Sequence, residues 1–531
     1  MSKIDFAGPP NIPMKKYPTL RVSSVIVALT AITLSVSRLA AEAPPLEAGP
    51  DPREIPLPVI KTPMAQLPGV KELPVRKELP DIMTMNDGTK VKTLDQWKQR
   101  RQEMLHILEY YSVGQAPPPP GNVKGKELQS QLVANGKIKY RLVHLTFGPG
   151  EKLYLDIGIF TPVEGGPFPT VIAQASTPPG GTPQPRVGNG PTQGRGQDVL
   201  LLVGPTIPPA LVAESGAGRA GRGGGAPGAA AAGDGPPGAI PAAPPAARGG
   251  GGGRGGANNP ESIAATNAAL ARGYAYVMYS NNDCAEDTTL REPDGSWSYR
   301  KAGFLPAYPN YDWGALRVWA WGASRVADYL ETDPSIDKNK LIITGASRTG
   351  KSAMVAAAFD DRLMGAPVVT GGGGVGAYRF AGASNSESLD MMQRKYPNWW
   401  GPNLHQFWGA KEKLPFDEHW FLALAAPRPF IALEGDADTI SLPEAVKQSI
   451  LAARPAYAMY GVSPDRLGVH YSHHGHAFTG EDWTAMLNFA DKHYLGKRDF
   501  TFDYFLTMEE REAATAAAAP RAALAPRPAA K

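Results

Sequence analysis

The run TGASRTGKSAMVAAAFDDR, Thr344 to Arg362, constrains this chain more than any other stretch. Lys340-Leu-Ile-Ile-Thr344 before it is a short apolar β-type run, and Ser352 to Phe359 after it is small and helix-favouring, so the segment reads strand, tight turn, helix. Ser347 falls on the turn, flanked by Gly345 and Gly350. Glycines there permit the sharp reversal that lifts a serine hydroxyl above the end of a sheet. The usual pattern is G-x-S-x-G, and here the second glycine comes one residue late. A serine so placed needs a base, an acid and donors for an oxyanion, and these must come from elsewhere in the chain.

The surrounding sequence alternates strand and helix. Lys137 to Thr146 and Lys152 to Thr161 alternate like strands, and Pro169 to Ala173 is a third apolar run. Gly273 to Tyr279, Ala366 to Thr370, Arg428 to Leu433 and Arg466 to His470 are further strands. Helical spacing marks Asp95 to Gly114, Ser262 to Ala271, Trp313 to Leu330, Leu442 to Ala453 and Asp482 to Tyr494. This order predicts an α/β fold, a three-layer sandwich with a mainly parallel central sheet.

Other segments are not core-forming. A basic patch at Met14 to Arg21, an apolar run at Val22 to Val36 and Ala41-Glu-Ala43 have the order of a secretory signal, cleaved near residue 43. The apolar run is about 15 residues, shorter than the ~20 needed to span a bilayer, so a secreted or periplasmic protein with no membrane anchor is expected. Residues 44–92 read as an extended proline-rich arm, 93–505 as the catalytic domain, and 509–531 as a disordered tail. Within the domain, about 178–259 is Gly, Ala, Pro and Arg, too poor in apolar surface to offset its ordering entropy, and reads as a disordered insertion. The formal net charge of +4 is spread evenly, which argues against nucleic acid. A single cysteine, Cys284, rules out an intrachain disulfide, and no metal-ligand spacing is found, so neither metal nor cofactor is expected. A monomer is expected.

The base and acid lie downstream of Ser347, in the chain order serine, acid, histidine of α/β-hydrolases. His476 sits in HYSHHGHAFTGEDW, between a strand and a helix, in competition with His470, His473 and His474. Imidazole can take the serine proton and return it to the leaving alcohol. For the acid, ALEGDADTISLPEA follows the penultimate strand and offers Asp438, with Asp436 as the alternative.

At these residues the sequence resembles the glucuronoyl esterases, carbohydrate esterase family 15. These are secreted α/β-hydrolases that cut the ester joining the 4-O-methylglucuronic acid of xylan to lignin alcohols. The resemblance covers roughly Trp97 to Phe500 outside the insertion. It rests on Gly345-Ala-Ser-Arg-Thr-Gly-Lys351, similar to the family's G-x-S-R-x-G-K, and on WGALRVWAWGASRVADYL, LPFDEHWFLALAAPRPF and GHAFTGEDW. It implies Ser347 as nucleophile, His476 as base, Arg348 at the oxyanion, Lys351 at the sugar, and a glucuronoxylan or lignin-carbohydrate ester as substrate. Two departures stand out. Thr370-Gly-Gly-Gly-Gly374 replaces an E-S-G-x-G-like run whose glutamate is often the acid, which leaves that role to Asp438. Ile440 stands where a tryptophan often lines the sugar site, for which Trp399, Trp400 or Trp408 could substitute. An acetyl xylan esterase or other serine hydrolase on the same fold, or a non-catalytic glycan-binding relative, are the competing readings.

Overall fold

The structure, a computed structural model, describes residues 57, 59–175, 268–381, 387–440 and 442–497, all within the unit Pro50–Lys531. The signal segment, the Gly/Ala/Pro-rich insertion at 178–259 and the tail at 509–531 lie outside the described residues.

Nine strands form one sheet in the order β1-β2-β3-β5-β4-β6-β7-β8-β9. They are β1 Lys124–Val133, β2 Ile138–Phe147, β3 Leu153–Pro162, β4 Phe168–Ala175, β5 Ala275–Ser280, β6 Ile336–Ala346, β7 Leu363–Val368, β8 Phe430–Gly435 and β9 Leu467–Ser472. The pairings β1–β2, β2–β3 and β3–β5 are antiparallel, and every pairing from β5 through β4 to β9 is parallel. Seven longer helices accompany the sheet: α1 Leu94–Leu108, α2 Ala315–Leu330, α3 Arg348–Phe359, α4 Leu389–Lys395, α5 His419–Ala425, α6 Pro443–Met459 and α7 Gly480–Leu495.

Successive strand side chains point to opposite faces. Leu341 and Ile343 of β6 therefore join Trp319, Val355, Phe421 and Ile450 in the core on one face, whereas Ile342 joins Ile431, Trp483, Met486 and Phe489 on the other. The sandwich thus has three layers, with α1, α2, α3, α5 and α6 on one side and α7 on the other. This is the α/β-hydrolase arrangement expected from the sequence.

Two parts of the fold were not read from the pattern. Strand β1 is an edge strand whose first five residues are exposed, so it carries no apolar alternation. The described part of the proline-rich arm is fastened to the domain: Leu67, Val70 and Leu73 pack against the core, and the Tyr111 hydroxyl donates to the Pro68 carbonyl at 2.6 Å.

The order reverses between β5-β4 and β4-β6, since β4 has the later strand β5 on one side and β6 on the other. In open α/β sheets, ligands bind outside the carboxyl ends of strands at such a switch point. Ser347, the residue after β6, lies there.

Both glycines of the turn are sterically required. A Cβ on Gly345 would sit 2.7 Å from the backbone of Thr349. One on Gly350 would sit 2.8 Å from the Gly345 carbonyl oxygen and 2.9 Å from that of Val368, which accounts for the late second glycine. Backbone atoms cannot rotate away as a side chain would. Gly350→Ala is therefore expected to destabilise the fold by about 1–3 kcal/mol, an overpacking cost. A thermal melt indistinguishable from wild type would show that this contact is not needed.

Candidate active site

The turn that carries Ser347 is a strained reversal. Ser347 has φ 56° and ψ −121°, a conformation rare for a residue with a Cβ. Its N–H donates to the Val368 carbonyl at 2.9 Å, and its own carbonyl accepts from Lys351 N–H at 2.9 Å. The Thr349 hydroxyl accepts from Ala346 N–H at 3.0 Å and donates to the Ala346 carbonyl at 2.9 Å, closing the turn from beneath. The serine is thereby set at the N-terminal end of α3, where helix N–H groups favour developing negative charge.

Arg348, next along, makes an ion pair through Nη1 with Asp287 Oδ2. Its guanidinium lies 5.3 Å from the Trp399 ring centre and 5.8 Å from that of Tyr396. Lys351, one turn further, is buried: its ammonium donates to Glu387 Oε2 at 2.6 Å and to the Thr370 carbonyl. Its expected role toward a sugar would have to be shared with these internal partners.

The histidine-rich loop sorts itself by carboxylate. His476 Nδ1 faces Asp438 Oδ2 at 2.8 Å, and the other Asp438 oxygen accepts the Ile440 N–H at 2.9 Å. The Asp438 side chain is 1% exposed and that of His476 18%, so the pair is shielded on the acid side and open on the base side. Asp436 instead meets His473 Nδ1 at 3.0 Å, an imidazole that is 86% exposed. His474 pairs with Asp482 at 3.0 Å, and His470 lies 3.3 Å from Glu481. Of the two acids left open by the sequence, Asp438 is the one brought to His476. With Nδ1–H held by the carboxylate, Nε2 is the nitrogen presented to a hydroxyl.

The end of β7 is occupied in an unexpected way. The Thr370 hydroxyl accepts from Val375 N–H at 2.8 Å and donates to Glu434 Oε1 at 3.3 Å. Gly371 and Gly372 pack against Glu387, where a side chain would collide with it.

Trp399 and Trp400 need a correction. Expected as sugar-binding surfaces, they are 1% and 2% exposed and present no open ring face. The physical reason is local: Trp399 stacks on Tyr396 at 3.9 Å and 5°, and its indole N–H donates to Asp287 Oδ1 at 2.8 Å. Trp400 packs edge-on to Tyr378, with ring centres 6.3 Å apart. Three residues that sequence reasoning did not single out enter here, Asp287, Glu387 and Glu418. Asp287 and Glu387 owe their places to Arg348 and Lys351, remote in sequence, whereas Glu418 lies within the LPFDEHWFLALAAPRPF block and is marked only by its burial. Among the described residues, no three His, Cys, Asp or Glu side chains gather as metal ligands.

A serine at a strand-to-helix elbow and a buried carboxylate–imidazole pair are features found together in α/β-hydrolases. Comparison with known proteins narrows this class. Residues 256–461 match the family model described as "Glucuronyl esterase, fungi". The chain is 25% identical over 441 residues to carbohydrate esterase MZ0003 from an unknown prokaryotic organism, covering 79% of this chain and 90% of that protein. It is 26% identical over 433 residues to a 4-O-methyl-glucuronoyl methylesterase of Phanerochaete carnosa, covering 79% and 82%. A solved glucuronoyl esterase from Caldicellulosiruptor kristjansonii superimposes with a TM-score of 0.55 at 25% identity, covering 82% and 96%. By these comparisons the chain is similar to the glucuronoyl esterases of carbohydrate esterase family 15, and it is a carboxylic ester hydrolase.

Beneath the site, Glu418 is fully buried with no hydrogen-bond partner for either carboxyl oxygen. Burial, reinforced by the Asp417 carboxylate and opposed by Lys351, pushes its pKa well above the ordinary value of 4.5. The folded state therefore keeps a proton that the unfolded chain gives up. The stabilisation is whole below about pH 4.5 and is lost as pH rises toward the raised folded value. Glu418→Gln cannot lose that proton, so its stability should improve relative to wild type by up to about 1.4 kcal/mol per pH unit above pH ~5. Urea melts of both proteins between about pH 5 and 7 measure this. A constant difference would mean that Glu418 is ionised in the fold.

Proposed function

We propose that this protein is an exported glucuronoyl esterase that cleaves 4-O-methyl-glucuronoyl esters between xylan and lignin through an acyl-enzyme. Ser347 Oγ attacks the ester carbonyl while His476 Nε2 takes its proton. The carbonyl oxygen becomes an oxyanion, met by the Arg348 guanidinium and the α3 N-terminus, where removal of one donor typically costs about 3–4 kcal/mol. Collapse expels the lignin-side alcohol, which receives the proton from His476. Water then repeats the sequence on the glucuronoyl–serine ester and releases the uronic acid. Asp438 holds the imidazole tautomer and stabilises the imidazolium.

The observation that carries this reading is the Asp438–His476 contact, because Asp438 is buried and both of its oxygens are engaged, one by the loop backbone and one by the imidazole. Lys351, one turn along α3 from the serine, and Glu387, paired with it at 2.6 Å, are polar groups of a kind suited to a hydroxyl-rich substrate. The acid-to-alcohol chemistry fits what the relatives are named for, methyl esters of 4-O-methyl-glucuronate. Export follows from the basic, apolar, A-x-A order of residues 14–43. No helix among the described residues is long and apolar enough to cross a membrane.

The deciding assay sets a benzyl glucuronate ester against an acetylated xylan. Turnover of the first with little of the second is expected, and Ser347→Ala should lower kcat by at least about a thousandfold with the fold retained. Preference for the acetylated xylan would point to another esterase on the same fold.

The acid is tested separately. Asp438→Asn should lower kcat by about 10³–10⁴ with little change in KM, since the group acts in the transition state. Asp436→Asn, which removes only an exposed pair, should change kcat by less than about fivefold. Reversed effects would transfer the role to Asp436.

A further inference from the structure

Arg348 is not a free arm at the elbow. Its Nη1 is paired with Asp287 Oδ2, and Asp287 Oδ1 accepts the Trp399 indole N–H at 2.8 Å, so one carboxylate joins the arginine to the tryptophan. The guanidinium also lies beside the Trp399 and Tyr396 rings, 5.3 and 5.8 Å from their centres, which are themselves stacked at 3.9 Å. The segment carrying Asp287 is fastened to the core. Asn282 Oδ1 accepts the Asp287 N–H at 3.1 Å, the Trp319 indole donates to the Ala285 carbonyl at 2.8 Å, and Phe304 N–H donates to the Cys284 carbonyl at 2.8 Å. Trp319 in turn packs edge-on to Trp399 at 6.5 Å. The Asp287 side chain is 12% exposed and that of Arg348 31%, so the carboxylate that holds the arginine is the more buried of the two.

A guanidinium is planar with five N–H donors in fixed directions, so holding one nitrogen sets the heading of the others. An arginine without this brace would have to surrender rotamer freedom each time an oxyanion formed. The adjacent carboxylate also weakens the positive field at the oxyanion, so its net value lies in orientation and not in added charge.

We propose that Asp287 is a positioning residue of this esterase, clamping Arg348 in the orientation the oxyanion meets, with Trp399 as the brace behind it. This rests on the assignment of Arg348 to the oxyanion. It also gives Trp399 a role other than a sugar surface.

The test is a double-mutant cycle on the full chain with a benzyl glucuronate ester, using Asp287→Asn, Arg348→Ala and the double variant, each with its thermal midpoint. Asp287→Asn keeps the size of the side chain and removes the charge. It should lower kcat by about ten- to a hundredfold while KM stays within about twofold, as expected when a transition-state group is slightly misplaced. With Arg348 already alanine, the same change should cost less than about twofold, because two residues acting as one unit are not additive. Equal losses in both backgrounds, or an unchanged kcat in the single variant, would overturn the proposal. An Arg348→Ala enzyme with wild-type kcat would instead overturn the oxyanion assignment beneath it, and the two failures are told apart by that variant alone. Should Asp287→Asn not fold, Trp399→Phe removes the indole N–H and keeps the ring stack. A kcat loss in wild type that disappears in the Arg348→Ala background supports the clamp, and a loss that persists there overturns it.

Discussion

The backbone of Ser347 is the constraint on which the remainder of the site depends. Holding a residue with a Cβ at φ 56° costs about 1–3 kcal/mol, and such a state persists only where its surroundings leave no alternative. Here the surroundings are the missing Cβ atoms of Gly345 and Gly350, which allow β6, the start of α3 and the end of β7 to approach within contact of one another. The Thr349 hydroxyl, bonded to both polar atoms of Ala346, locks the inside of the turn. Because α3 begins at the residue after the serine, the directions of Arg348 and Lys351 are set by the same reversal. Arg348 is delivered to the Asp287 carboxylate, and Lys351 into the interior.

The charges buried around α3 are compensated unequally. Lys351 has a carboxylate and a carbonyl, and Arg379 has Asp417 at 2.9 Å with the Phe416 and Leu414 carbonyls. Breaking one side of such a buried pair strands a charge and costs far more than the pair contributes. Glu418 stands apart, with its oxygens unbonded and its proton retained by burial. A neutral acid beside the Asp417–Arg379 pair avoids adding a second negative charge there, at the expense of an unsatisfied polar group.

Much of this was legible because the signals were local. The parallel strands β4 to β9 are short apolar runs between turn residues, and the elbow declares itself through its glycines. The histidine-rich loop was placed between a strand and a helix by its sequence, as β9 and α7 show. Where the reading fell short, the deciding contact was remote. Strand β1 is polar because it lies at an edge. Asp438 and Asp436 could not be separated by sequence, since the choice turns on which histidine each faces across two loops. For Trp399 and Trp400, an N-W-W loop has no periodicity to decide between a sugar surface and buried packing, and the Tyr396 stack and Asp287 bond that bury Trp399 are tertiary. Asp287 itself lies in an unremarkable polar run, and only the fold brings it to Arg348.

Assigning the acid to Asp438 also accounts for the end of β7. The loop after β8 is bonded to the loop after β9 by Asp436 N–H to the Ser472 carbonyl at 3.0 Å and Ala437 N–H to that of His474 at 3.2 Å. Asp438 and His476 are thereby tied to each other by main chain as well as by their side-chain contact. An acid at the end of β7 would have to reach the same imidazole from the neighbouring strand, roughly 5 Å away. Thr370 lends its hydroxyl to the Val375 N–H and its carbonyl to Lys351, while the glycines after it close around Glu387. The end of β7 thus carries no carboxylate at Thr370 and serves as support for the Lys351–Glu387 pair.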